Sequence, residues 1–202
     1  MANDPRSAFI QALKRASSCI EKSYFHPLVA SLPEDPPLQM WRERVYCYEL
    51  YHQLRMILPQ ETKNGVMLFG EMDKKSHPLI HHGTIPDFLY HRPGKSGYRN
   101  NVAIIEVKSI QRMREHLAIC RSIETLQDTQ HQLRYQISLL YIFGDQDADT
   151  EKWIRDKIIQ EQKGNAPFHV LWHQHVGKPA VWVCQCSCHA NGAYDCMSPS
   201  ER

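Results

Sequence analysis

No stretch of the 202-residue chain is apolar for long enough to cross a bilayer, and its first residues carry no apolar core of a secretory leader. A membrane-inserted or exported protein is therefore not expected. An excess of either charge is also missing. The 24 Lys and Arg oppose 22 Asp and Glu, a formal net charge of +2, so bulk charge does not advertise a nucleic-acid partner and only a locally basic face could serve one. There is no paired cysteine framework. The seven cysteines are odd in number and three of them, Cys19, Cys47 and Cys120, are scattered, which points to a reducing cytoplasm without disulfides. What is present is ordinary for a globular protein, 42% hydrophobic and 23% charged, with length for one domain and a short appendage.

Hydrophobic periodicity and turn residues divide the chain. Asp4 and Pro5 read as the N-cap and first residue of an amphipathic helix running to about Lys22, with Phe9, Leu13 and Ile20 on its apolar stripe. Prolines at 33, 36 and 37 mark a linker. From Leu38 to about Leu58 comes the strongest helical pattern. Val45, Tyr48, Glu49, His52 and Met56 form one stripe, expected to pack on the sheet, and Leu50, Leu54, Ile57 and Leu58 an adjacent one. Asn64-Gly65 turns the chain into a strand over 66–71. A helix over 119–135 and a continuous apolar strand over 137–143 suit a crossover onto a parallel neighbour of the 102–108 segment. A helix over 147–163 and two edge strands, 168–174 and 181–185, complete the reading.

The stretch that organises the rest is Pro86 to Lys108. Asp87 is the acidic residue closing an apolar segment, Ile85-Pro86-Asp87-Phe88-Leu89-Tyr90. A polar turn over 91–100 follows, and Val102-Ala103-Ile104-Ile105-Glu106-Val107-Lys108 closes the run. Alternation along a strand puts Glu106 and Lys108 on one face, roughly 6.6 Å apart, with Ile105 and Val107 on the other. Buried charges at a strand end must be compensated, and two carboxylates beside a lysine are what a divalent cation and an attacking water would require.

Pro86-Asp87 followed by Glu106-Val107-Lys108, each at the end of a strand-like run, resembles the PD-(D/E)xK nuclease superfamily. The order helix, three strands, helix, strand is similar to its αβββαβ core, so the resemblance implies a restriction-endonuclease-like α/β fold with a mixed central sheet flanked by helices. It divides the chain into an N-terminal helix and linker (1–37), a nuclease-like core (38–180), and an edge strand with a cysteine-rich tail (181–202). The implied activity is phosphodiester hydrolysis, with DNA the expected substrate and Mg2+ or Mn2+ the cofactor. Asp87, Glu106 and the carbonyl of Val107 would hold the metal, and Lys108 would position the attacking water. A third acid would be Glu49, which otherwise pairs with His52 or Arg42 on the helix surface, or Glu71, which otherwise is a solvated strand terminus. Arg92, Lys95 and Arg99 would lie in a hairpin overhanging the site and touch phosphate, or else are solvated loop charges. The loop histidines His77, His81 and His82 would lie near the site. The rival from another class is an inactive subunit of the same fold that binds nucleic acid or scaffolds a defence complex. A homodimer, or partner subunits of a larger system, is compatible with either.

Cys184, Cys186, Cys188, His189 and Cys196 suggest a zinc site at first sight. Cysteines at alternate positions of a strand spread over roughly 13 Å, whereas structural zinc prefers knuckles that bring sulfurs to one ion. Zn2+ at Cys186, Cys188, His189 and Cys196 is therefore not expected.

Overall fold

The computed structural model describes residues 4–29, 38–39, 41–58, 65–71, 86–110, 116–145, 148–161, 168–188 and 194–197. Asp4 caps the first helix, α1 (Pro5–Ser18), its carboxylate accepting the Arg6 backbone N–H at 3.1 Å. The helix stops short of Lys22 and a single turn, α2 (Lys22–Phe25), follows. Phe9, Leu13 and Ile20 are buried as the apolar stripe requires. Two short strands, β1 (Leu28–Val29) and β2 (Leu38–Gln39), pair antiparallel. The linker between them, like His77, His81, His82 and His189, lies outside the described residues.

Next come α3 (Glu43–Ile57), β3 (Met67–Gly70), β4 (Phe88–His91), β5 (Asn101–Ser109), α4 (His116–Leu133), β6 (Ile137–Phe143), α5 (Ala148–Glu161), β7 (His169–His173), β8 (Val181–Cys188) and β9 (Tyr194–Met197). Strands β3 to β8 form a mixed sheet in sequence order. Its β3, β4 and β5 are antiparallel, β5, β6 and β7 parallel, and β8 returns antiparallel. The register Glu106↔Leu140 and Lys108↔Ile142 makes β5 and β6 the adjacent parallel pair expected from their unbroken apolar character. In the cysteine-rich tail, β9 pairs with the far half of β8, with Cys186 opposite Cys196.

Two apolar layers enclose the sheet. On one face α1 and α3 contribute Phe9, Leu13, Tyr46, Leu50 and Leu54 to a core with Ile105, Val107, Tyr141 and Phe143. On the other, Ile119, Ile123 and Leu126 of α4 and Ile154 and Ile158 of α5 cover Ile104, Leu140, Ile142 and Trp172. All seven residues of β6 are buried, Ser138 among them, as a parallel strand covered on both faces requires.

The buried arc of α3 differs from the expected stripe. Tyr46, Cys47, Leu50 and Leu54 face the sheet, while Val45, Tyr48, His52 and Met56 are exposed. Both arcs carry apolar residues at helical spacing. The choice falls to the aromatic ring of Tyr46, which stacks on Phe143 with centroids 3.8 Å apart and the planes 8° from parallel. Its hydroxyl then joins a buried network, 2.9 Å from the Tyr141 hydroxyl and 2.7 Å from His173 Nδ1. Tyr46→Phe should cost about 1–3 kcal/mol, because it strips a partner from two buried polar groups at once. Urea denaturation of Tyr46→Phe, Tyr141→Phe and the double variant measures this, and the double should cost less than the sum. Strictly additive losses would mean that the hydroxyls are not coupled.

Candidate active site

The register Phe88↔Ile105 is the last pair between β4 and β5, so β5 runs on through Glu106 to Ser109 with β6 as its only ladder partner. Asp87, one step beyond β4, continues the ladder with its side chain. Its Oδ2 accepts the Val107 backbone N–H at 2.7 Å. Directly opposed residues of antiparallel strands share a face with Cβ atoms about 5 Å apart, which brings the Asp87 and Glu106 carboxyls together. Lys108, two residues on, projects from that same face of β5.

The ammonium of Lys108 lies among four oxygens. Val107 O is 2.8 Å away, Glu43 Oε1 3.1 Å, Glu106 Oε2 3.5 Å and Asp87 Oδ2 4.0 Å. Glu43 is the third acid of this cluster, and the sequence reading passed over it. Glu43, Tyr46, Leu50 and Leu54 recur at i, i+3, i+7 and i+11, so an acid heads the arc of α3 that the structure buries, although the spacing alone does not select that arc.

The other candidates fall elsewhere. Glu49 lies about 120° round the helix from Glu43. It accepts a hydrogen bond from Gln53 Nε2 at 2.7 Å on the helix flank and takes no part in the cluster. Glu71 leaves β3 in a left-handed conformation, φ 41°, its N–H donating to Asp87 O at 2.9 Å. Its carboxylate turns to Arg44, 3.5 Å away, at the exposed rim. Arg92, Lys95 and Arg99 occupy the turn joining the end of β4 to the start of β5. That turn is at the opposite end of the strands from Asp87 and Lys108. Seven residues of β5 separate Asn101 from Lys108, roughly 23 Å. The hairpin does not overhang the site.

The electrostatics follow from three carboxyls and one ammonium in a small, dry space. Burial raises the Asp87 pKa to about 6, against the pull of Lys108 and the Val107 N–H. Burial and the neighbouring Asp87 charge raise Glu106 to about 8, so it holds a proton at neutral pH. For Lys108, burial works against the charge, but Glu106, Asp87 and Glu43 outweigh it and the ammonium persists. Burial, with Asp87 and Glu43 close by, holds the Cys47 thiol neutral, so it packs beneath the cluster rather than serving as a nucleophile.

These shifts set a pH dependence. Between the ordinary carboxyl values of 3.8 and 4.5 and the native values of about 6 and about 8, the folded state binds more protons than the unfolded one. Stability without metal must therefore fall as pH rises through that window. Glu106→Gln removes the largest contribution and should stabilise the metal-free protein at pH 8 on the order of 2 kcal/mol, with little effect at pH 4. Thermal melts at the two pH values check this. A variant no more stable than wild type at pH 8 would contradict the desolvated, repelled state of Glu106.

Among the described residues no three His, Cys, Asp or Glu side chains form a ready metal cage, since the Lys108 ammonium stands between the acids. The donor set nevertheless fits a hard cation. It offers carboxylate and carbonyl oxygens, and Glu43 Oε2 is buried with no hydrogen-bond partner. The ammonium is itself a cation held by those oxygens. No family model, curated protein or solved structure matches the chain.

Proposed function

We propose that this chain is a metal-dependent nuclease of the PD-(D/E)xK type, hydrolysing phosphodiester bonds, with DNA as the expected substrate. The observation that carries the reading is the cluster itself: Asp87, Glu106 and Lys108 from strands adjacent in the sheet, joined by Glu43 from α3, around one ammonium. A purely structural ion pair would not need three carboxyls around one lysine, two of them, Asp87 and Glu106, largely desolvated. Such an arrangement costs stability, which fits a group set kept for chemistry.

In this reading Asp87, Glu106 and the Val107 carbonyl hold Mg2+ or Mn2+, and Glu43 supplies the further acid. When bound, the cation offsets the carboxylate charge and polarises the phosphate oxygens. Metal binding would displace the proton that the Asp87–Glu106 pair holds near neutral pH, so it would release protons and strengthen toward pH 8. Lys108 must swing out of the oxygen cluster. Its ammonium then stands beside the scissile phosphate, where it orients the attacking water and stabilises the charge developing on phosphorus. The hydrogen bond from the Val107 N–H keeps the Asp87 carboxylate aimed at the Glu106 side.

The test is incubation with supercoiled, linear and single-stranded substrates, with and without Mg2+ or Mn2+. Cleavage that requires the metal is expected. Tight binding without cleavage under every condition would favour the inactive subunit of the same fold instead.

A further inference from the structure

We propose that the outward face of α3 is the platform along which a single-stranded nucleic-acid segment reaches the carboxylate cluster. The inference rests on the nuclease reading above and adds to it the path and the form of the substrate.

Three of the exposed large hydrophobic side chains of the described residues fall on this one face, Val45, Tyr48 and Met56, with Tyr48 59% and Met56 73% exposed. Large apolar side chains left in water along one face of a packed helix point to an interaction surface. Its chemistry is mixed. Arg44, Tyr48 and Arg55 stand at i, i+4 and i+11, within about 40° of one another round the helix, so an aromatic ring lies in a row between two guanidinium groups. Beside that row run Val45, His52 and Met56. Aromatic rings interleaved with arginines suit unpaired bases and the phosphates between them, since bases stack on rings only when they are not paired.

The face is continuous with the site. Glu43, the first residue of α3, holds the Lys108 ammonium at 3.1 Å. The next residue, Arg44, meets Glu71 at the rim, and the Glu71 N–H is bonded to Asp87 O. From Arg44 to Met56 the helix extends about 18 Å, the span of only a few nucleotides of an extended single strand. The other cationic cluster, Arg92, Lys95 and Arg99, lies at the far end of the strands and offers no such path.

The experiment measures binding of a short fluorescein-labelled oligothymidylate by anisotropy in EDTA, where nothing is cut. A duplex of equal length serves as comparison, and melts confirm that each variant is folded. Tyr48→Ala should weaken single-strand binding roughly 5- to 150-fold. Arg44→Gln and Arg55→Gln should each lower the slope of log affinity against log salt by about 0.7. Lys95→Glu with Arg99→Glu should leave binding near wild type. If the wild type binds the oligomer but Tyr48→Ala binds equally well, or if the duplex is preferred, the platform is wrong and the nuclease reading stands. If Tyr48→Ala alters only self-association in sedimentation, the face belongs to a second copy and the inference falls. A wild type that binds no oligonucleotide in EDTA overturns the inference, while the nuclease reading is judged separately by metal-dependent cleavage.

Discussion

Asp87→Ala should abolish metal-dependent cleavage, by about a thousandfold or more, while the protein remains folded. Asp87 contributes twice. Its carboxylate faces Glu106 across the strand pair, and it accepts the Val107 N–H at 2.7 Å, the bond that continues the β4–β5 ladder past its last residue pair. In the nuclease reading, truncation would remove one metal ligand and free the backbone that would carry another, the Val107 carbonyl. Removing a repelled, desolvated carboxyl also relieves strain, so loss of activity should not be accompanied by collapse. In the wild type, Mg2+ should raise the melting temperature, since a ligand of the native state alone stabilises by mass action. Asp87→Ala should lose most of that rise. Cleavage at the wild-type rate would put the chemistry elsewhere in the molecule.

Lys108→Met is the complementary case, and its effects run in opposite directions with and without metal. Without metal, the ammonium is, among the described residues, the cation placed amid Glu43, Glu106, Asp87 and the Val107 carbonyl, all within 4.0 Å. Deleting it leaves buried acids without compensation, a loss of about 3 kcal/mol or more near pH 8. Protonation of the acids limits the damage, so the loss should shrink as pH falls toward 5. With Mn2+ the same variant should recover its stability and bind the ion more tightly than wild type, because no ammonium competes for the oxygens. Cleavage should nonetheless fall at least about a hundredfold, as expected when a group that positions water and stabilises charge is lost. Calorimetric titration with Mn2+ and a cleavage assay on one preparation separate the two roles. Weaker Mn2+ binding in Lys108→Met would show that the lysine supports the metal site rather than occupying it. Unchanged cleavage would remove it from the reaction.

Short-range pattern determined a good part of this protein. Asp4 followed by Pro5 specifies a helix start because the cap and the preset φ act within one turn. Ile104 to Lys108 and Ile137 to Phe143 read as neighbouring parallel strands because their apolar residues fall on both faces and a helical crossover joins them. Alternation along one strand placed Glu106 with Lys108, and the two ends of one hairpin placed Asp87 beside them. The position of Arg92, Lys95 and Arg99 was legible by the same logic. If Asp87 begins one strand and Lys108 ends its antiparallel neighbour, the turn between them lies at the far end.

Tertiary structure alone decided which way α3 faces. Its sequence carries two apolar arcs, and periodicity gives the spacing of each without choosing between them. The choice depends on what waits on the sheet. Phe143, Tyr141 and His173 accept the ring and hydroxyl of Tyr46, and no comparable partner exists for Val45 or Met56. Rotating the helix that way turns Glu43 inward to Lys108, Glu49 to the flank and Tyr48 to solvent. The third acid and the exposed platform thus follow from a single packing decision made by residues nearly a hundred positions later in the chain, beyond the reach of any local pattern.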